Sequence, residues 1–241
     1  MQQKSSERRK ERLFVVEGQR ELMHCIQAGY ELEAVFVREG MLVDLDCPNI
    51  YEVSAKVYEK IAYRGTTEGI IAEVRPKESS LDNLMARCKS QSPVFVVLEA
   101  VEKPGNLGAI LRSADAAGID GVIVCDPLTD LYNPNLIRSS LGAAFTVPMA
   151  ACTSEECIAF LKANGIQILT AQLQDSHLYY DTDMRRSTAI IMGTESTGLT
   201  DVWRKAADAH IRIPMLGKMD SLNVSVSAAI LMFEAVRQRS L

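Results

Sequence analysis

The sequence contains no CxxC pair, only three histidines and a single tryptophan among 241 residues. Its six cysteines, Cys25, Cys47, Cys88, Cys125, Cys152 and Cys157, are scattered without the spacing of a zinc site. They read as reduced, buried thiols, so neither a metal nor a disulfide framework is expected. GxGxxG and GKS/T are both missing, which removes the dinucleotide fingerprint and the phosphate loop. No apolar run approaches the ~18–20 residues that cross a bilayer. The opening MQQKSSERRKER has basic residues but no apolar stretch behind them, so no membrane association and a cytoplasmic location are expected.

Positive charge is also in short supply. Lys and Arg number 26 against 31 Asp and Glu, a net charge of −5, whereas nucleic-acid binders usually carry a basic footprint. The deficit is spread along the chain, and only residues 1–12 are basic, with Lys4, Arg8, Arg9, Lys10 and Arg12 against Glu7 and Glu11. That tip reads as a solvated, frayed end, with phosphate contact the alternative. What the chain does have is 47% hydrophobic and 24% charged residues, enough for a real core in one large α/β domain or two modest ones.

The order of patterns points to two units. A helical stretch over 17–28 ends at Gly29, and LEAVFV, NIYEV and GIIAEV are short, β-branched strand candidates, with a helix over 54–61 between the last two. This small α/β unit spans residues 1–76. Residues 77–92 break the pattern with proline, serine and charge and read as a linker holding a weak helix around Leu81. From 93 to 241 the chain alternates: PVFVVLEA strand, helix 104–117, GVIVCD strand, AAFTVPMA strand, helix 153–164 with a capping box, then IQILTA, TAIIMG and HIRIPM as strands and a final helix over 221–239. Alternation of this kind predicts a parallel sheet with helices on its faces.

Ligands of such sheets bind at the carboxyl ends of the strands, so the loops there are where chemistry is sought. Three are unusual. EKPGNLGAILRSADAAG carries Asn106, glycines 105 and 108 and Arg112; the arginine falls on a different helical face from Asn106, and the two converge only if Asn106 belongs to the turn. IIMGTESTGLT leaves a buried-looking strand through Gly193, Glu195 and Gly198. IPMLGKMDSLNVSVSAAI leads into the final helix with Ser221 as N-cap and Asn223 in its first turn, where an amide on an otherwise apolar face suggests a required hydrogen bond. Each loop alone is also compatible with a plain turn or cap.

Taken in order, N-x-G-A-I-L-R, G-x-E-x-x-G-L and I-P-M-x-G-x-x-x-S-L-N-V-S-V closely resemble the three motifs of the SpoU branch of the SPOUT RNA methyltransferases. The resemblance covers about 93–241. Residues 1–76, through VVEGQREL and TTEGIIAEV, are more loosely similar to the RNA-binding domain, akin to certain ribosomal proteins, that precedes the catalytic domain in many relatives.

The resemblance implies a parallel α/β domain with a deep carboxyl-terminal trefoil knot, assembled as a homodimer. It implies methyl transfer from S-adenosyl-L-methionine to a ribose 2′-hydroxyl, of ribosomal RNA first and transfer RNA second; a non-catalytic RNA-binding relative and a nucleotide-using small-molecule enzyme are the alternatives. Carried onto this chain, backbone groups around Gly193, Ile213, Met215 and Leu222 hold the cofactor's adenosine, and the loop at Ala171 closes on it. Arg112 is the candidate base or the cation that stabilises the developing alkoxide, the second being favoured for a guanidinium and the proton's acceptor left open, and it faces the partner chain's cofactor; Asn106 and Glu195 orient Arg112 and the ribose or phosphate, and Ser221 and Asn223 fix the loop geometry. Relatives often carry asparagine and glycine where this chain has Thr194 and Thr197, which puts the fine geometry of that loop in question. Local patches such as Arg138, Arg185 and Arg186 are candidate RNA contacts or plain solvated surface.

Overall fold

The computed structural model describes residues 4–63, 68–194 and 197–240. In chain order its elements are α1 (Ser5–Glu11), β1 (Phe14–Glu17), α2 (Gln19–Gln27), β2 (Leu32–Arg38), β3 (Ile50–Val53), α3 (Ala55–Ile61), β4 (Ile70–Val74), α4 (Leu81–Arg87), β5 (Val94–Glu99), α5 (Pro104–Ala117) and β6 (Gly121–Cys125). There follow α6 (Pro134–Ser140), α7 (Ala143–Thr146), β7 (Met149–Cys152), α8 (Ser154–Ala163), β8 (Gln167–Ala171), β9 (His177–Leu178), β10 (Thr188–Met192), α9 (Asp201–Ala206), β11 (Ala209–Arg212) and α10 (Val224–Arg239). The chain divides into two compact units, residues 1–78 with 130–146, and residues 79–129 with 147–241.

The first unit is a four-stranded sheet in the order β1-β4-β2-β3, antiparallel except for the β2–β3 pair. Phe14, Val16, Leu22, Val35, Ala72 and Val74 make its core, and the returning segment contributes Ile137 and Phe145. This segment corrects the expectation for AAFTVPMA: its first four residues form a helical turn, and only Met149–Cys152 is a strand. A short apolar run has no period that separates strand from helix. Here Gly142 turns the chain at φ 95°, the Ser140 hydroxyl accepts from the Ala144 N–H, and Phe145 goes to the core. Nor is the basic tip a frayed end: α1 buries Arg8, whose Nε donates to Asp130 Oδ2 at 2.7 Å.

The second unit is the expected parallel sheet, seven strands in the order β7-β6-β5-β10-β8-β11-β9. Every residue of β5 is buried, as strands covered on both faces require. Phe95, Val97, Ile123, Ile168 and Ile191 point to one face, where Leu84, Leu161 and Trp203 from α4, α8 and α9 close the core. The helix within the expected linker therefore anchors this unit. Trp203 Nε1 donates to Ser154 Oγ at 3.0 Å, and Ser154 Oγ donates to Asp126 Oδ2 at 2.6 Å, which satisfies the buried indole. On the other face α5 and α10 pack on each other, α10 also on β5 and β10 and α5 on β6. Among the described residues, no helix is long and apolar enough to cross a membrane.

At the end of α10 the Glu234 side chain, 8% exposed, accepts two bonds of 2.8 Å from Arg237 and another of 2.8 Å from Gln238. The Arg237 guanidinium holds the Glu234 carboxyl below its ordinary range. A depressed carboxyl stabilises the fold above its unfolded pKa, and that stabilisation is lost as pH falls through the folded value. The thermal midpoint is therefore expected to fall as pH drops below about 4.3, the usual glutamate value. Glu234→Gln should flatten that part of the profile in a calorimetric pH series.

Candidate active site

The cleft of the second unit lies at the carboxyl ends of β8, β10 and β11, where open parallel sheets bind ligands. Its main part, about 600 Å³, is walled by Ala171, Gln172, Gly193, Ser221, Leu222 and Ser227. A continuation of about 150 Å³ shares Ala171, Gln172, Ser221 and Leu222 and reaches Ile213, Met215 and Leu231. A third recess of about 130 Å³, walled by Glu102, Lys103, Asn106, Gly193, Thr194 and Val224, adjoins the first through Gly193, Thr194 and Val224. All five expected cofactor residues, from loops up to 51 positions apart, thus line one connected depression.

Gly193 ends β10, and its lack of a side chain is a steric requirement. A Cβ there would sit 2.4 Å from the Gly198 carbonyl carbon and 2.6 Å from the Leu199 nitrogen. The loop folds back on itself at this point: Gly198, at φ 68°, donates its N–H to the Thr194 carbonyl at 3.1 Å. The two threonines that depart from the motif close the turn on each other, with their hydroxyls 2.7 Å apart and the Thr197 N–H donating to Thr194 Oγ1 at 3.1 Å. Their change of residue type thus has its own hydrogen-bonded solution. Glu195 lies outside the described residues.

A residue that the sequence reading missed secures the far end of this loop. Glu99, buried at the end of β5, accepts from the Thr200 N–H at 2.9 Å and from the Thr200 hydroxyl at 2.6 Å. A carboxylate closing the apolar run VFVVLE was the available signal, since a buried charge needs partners. Gln172 was missed as well. It follows β8, donates to the Gln174 carbonyl at 2.9 Å, and buries its Oε1 with no hydrogen-bond partner among the described residues.

The third motif differs from expectation in its cap. Ser221 is not the N-cap of the last helix; it lies in the loop, its hydroxyl directed to Asp220 at 3.4 Å. Asn223 is the N-cap, its Oδ1 accepting from the Ser225 N–H at 3.0 Å and the Ser225 hydroxyl at 2.6 Å, because an amide oxygen can take up helix donors that otherwise lack partners. The Asn223 Nδ2 then donates to Asn106 Oδ1 at 3.2 Å, joining motifs 117 residues apart. Asn223→Ala is expected to cost about 1 kcal/mol of stability, the usual value of an N-cap. Asn223→Asp keeps the cap but cannot donate to Asn106, so comparing the two variants' cofactor affinities by calorimetry isolates the amide bridge.

Asn106 is the third residue of α5 and not part of a turn, so it does not converge with Arg112 in one chain. The arginine is exposed, about 9 Å further along the helix and roughly 120° around it. It lines neither the cleft nor the recess beside Asn106. Arg185 and Arg186 are partly committed to the fold: Arg185 pairs with Asp183 at 2.9 Å, and Arg186 donates to the Gln167 side chain. Arg138 lines a separate cavity of about 220 Å³ in the first unit, with Glu17, Glu21, Tyr63 and Glu68.

A parallel α/β sheet with a peptide-walled cleft at its strand ends, preceded by a mixed α/β unit, defines a ligand-binding catalytic domain with an accessory domain. Residues 93–233 match the SpoU rRNA Methylase family and residues 1–72 the MRM3-like substrate binding domain. The chain belongs to the SpoU rRNA methylase family. It is 37% identical over 196 residues to a 23S rRNA (guanosine-2′-O-)-methyltransferase, RlmB, of Vibrio vulnificus, covering 79% of this chain and 78% of that one. With RlmB of Escherichia coli K12 it shares 39% over 178 residues, 72% of each chain. A crystal structure of an RNA 2′-O ribose methyltransferase is 39% identical and superposes with a TM-score of 0.84 over 99% of this chain and 93% of that one. AviRb of Streptomyces viridochromogenes, solved with AdoMet, is 25% identical with a TM-score of 0.90 over 99% and 95%.

Proposed function

We propose that this protein transfers a methyl group from S-adenosyl-L-methionine to the 2′-hydroxyl of a guanosine ribose in 23S ribosomal RNA. The observation that carries this reading is the meeting of all three motifs around one cleft, in a chain whose relatives carry that activity in their names. The cleft suits the cofactor: Met192, Ile211 and Leu231 give it an apolar lining, and Gln172, Ser221, Asn223 and Ser227 add polar groups beside it.

When bound, the cofactor supplies an electrophilic sulfonium methyl. The chain's own task is then to align the ribose oxygen and stabilise its developing charge. Backbone around Gly193, Ile213, Met215 and Leu222 holds the adenosine, with Ala171 at the cleft's edge. Asn106, fixed by Asn223, is assigned the orienting of the ribose or phosphate, a role proposed for Glu195 as well, while Ser221 shapes the loop. The cationic guanidinium of Arg112 is assigned the stabilisation of the developing alkoxide.

Because Arg112 stands outside the cleft of its own chain, the complete site requires a second copy. The homodimer is supported by an apolar stripe on α10, where Val226 and Phe233, seven residues apart and 47% and 48% exposed, lie on one face. The carboxyl-terminal tail is proposed to be threaded as a trefoil knot, consistent with β11 lying between β8 and β9. A cytoplasmic location is proposed with this activity.

Ribose-methylation mapping of total RNA from a strain lacking the protein, against its parent, tests the reading. Loss of one 2′-O-methylguanosine in 23S RNA, restored by the wild-type chain, is expected. A lost mark in transfer RNA would move the substrate, and an unchanged map together with no cofactor binding would leave only an RNA-binding role.

A further inference from the structure

Cys125, Cys152 and Cys157 come together in the second unit, away from the cleft. Cys125 ends β6 and Cys152 ends β7, and the two are register partners across the parallel ladder, so their side chains share a face. Cys157 enters from the first turns of α8, whose start is clamped by the Thr153–Glu156 capping box. All three are free thiols, and their sulfurs lie within 4.8 Å of one another.

That spacing is close to what an ion requires. Three metal–sulfur bonds of about 2.3 Å at trigonal angles place the sulfurs roughly 4 Å apart. Closing the triad thus takes sulfur movements of well under 1 Å on two strands and a helix that are already fixed. The nearest carboxylates are engaged elsewhere: Asp126 accepts from the Ser154 N–H and hydroxyl, and Glu156 accepts from the Thr153 N–H at 2.8 Å. The donor set is therefore all sulfur, which selects soft d10 cations over magnesium or calcium.

We infer that Cys125, Cys152 and Cys157 form a three-sulfur site for one soft, thiophilic d10 cation of the copper(I), zinc or cadmium class. The thiols release their protons to solvent when the ion is taken up. Cys152 is only partly buried and lies on the edge strand, which provides an entry path, whereas Cys125 and Cys157 are enclosed. The bound ion would cross-link β6, β7 and α8.

The test is titration of the reduced full-length protein with cadmium(II), followed by the ultraviolet thiolate-to-cadmium charge-transfer band and by the thermal midpoint. Cadmium discriminates here because Cys25, Cys47 and Cys88 each stand apart from any second thiol among the described residues, Cys88 having only the Asp120 carboxylate beside it at 3.3 Å. One equivalent is expected to bind, producing the band and raising the midpoint. Cys152→Ser and Cys157→Ala should each weaken binding by at least ~100-fold, beyond the 10–100-fold seen for outer-shell partners. Cys152 is the decisive position, because its replacement at a half-buried edge leaves the core filled, as circular dichroism would verify. Cys47→Ser/Cys88→Ser should bind as the wild type does. A band undiminished in Cys152→Ser, loss of the band in the Cys47/Cys88 variant, or no saturable binding near one equivalent would each overturn the inference and leave three thiols that only fill space. None of these readings depends on methyl transfer, so a failure here leaves the proposed activity untouched.

Discussion

Arg112→Ala is expected to lower methyl transfer to RNA by at least ~10²–10³-fold, the usual loss when one preorganised electrostatic group is removed from a developing oxyanion. Stability should stay within about 0.5 kcal/mol, because the side chain is an exposed one on the surface of α5. Cofactor affinity by calorimetry should be unchanged, since Arg112 lines no part of the cleft. Equal turnover in wild type and variant would refute the role. The same geometry makes a sharper prediction: if Arg112 serves the partner's cleft, mixing Arg112→Ala with a cleft-filling Ser227→Phe chain should restore activity that neither has alone. Random exchange makes half of the dimers mixed, each with one intact composite site, so about a quarter of wild-type activity is expected. No recovery after verified subunit exchange would place Arg112 outside a shared site.

Gly193→Ala is the second large effect, and its cause is steric. The added methyl would meet backbone, not the end of a flexible side chain, at 2.4–2.6 Å from Gly198 and Leu199. Backbone held by Glu99 through Thr200 and by the Thr194–Thr197 turn cannot move aside locally. Overpacking of this kind costs about 1–3 kcal/mol or more, a drop of several degrees in the thermal midpoint for a chain of this size. Cofactor binding should fall with it, because the displaced loop is one wall of the cleft. Gly105→Ala is the control: a Cβ there meets nothing within 4 Å, and in α5 it should be neutral or slightly stabilising. If the two alanine variants bind cofactor and melt alike, the close approach at Gly193 is not what shapes the loop.

Much of the catalytic unit was legible from local pattern. The apolar strand β5, the helix from Pro104 to Ala117 with Gly118 in the left-handed cap, and β6 fall where alternation and punctuation place them. Short elements were not. The four-residue β1 hides between a charged helix and α2, and the two-residue β9 exists only because β11 pairs with it. Arg8 looked like surface charge because its partner, Asp130, lies 122 residues away. Ser221 was chosen over Asn223 as the cap since both are good cap residues two positions apart, and only the path of the preceding loop selects between them.

By itself the sequence determined which segments are strands and helices in the sheet's interior, and which three loops carry unusual residues. Those are near-neighbour properties, set by backbone preference and by the period of apolar side chains. Tertiary structure alone decided that β10 and β11 insert among earlier strands, that Asn106 meets Asn223, that Glu99 holds Thr200, and that three unrelated cysteines share one pocket. Each of these joins residues more than 20 positions apart, except Cys152 and Cys157, which sit on either side of the α8 N-cap. Hydrophobic periodicity says which face of an element is buried but not which element it is buried against, and strand order supplies that missing information.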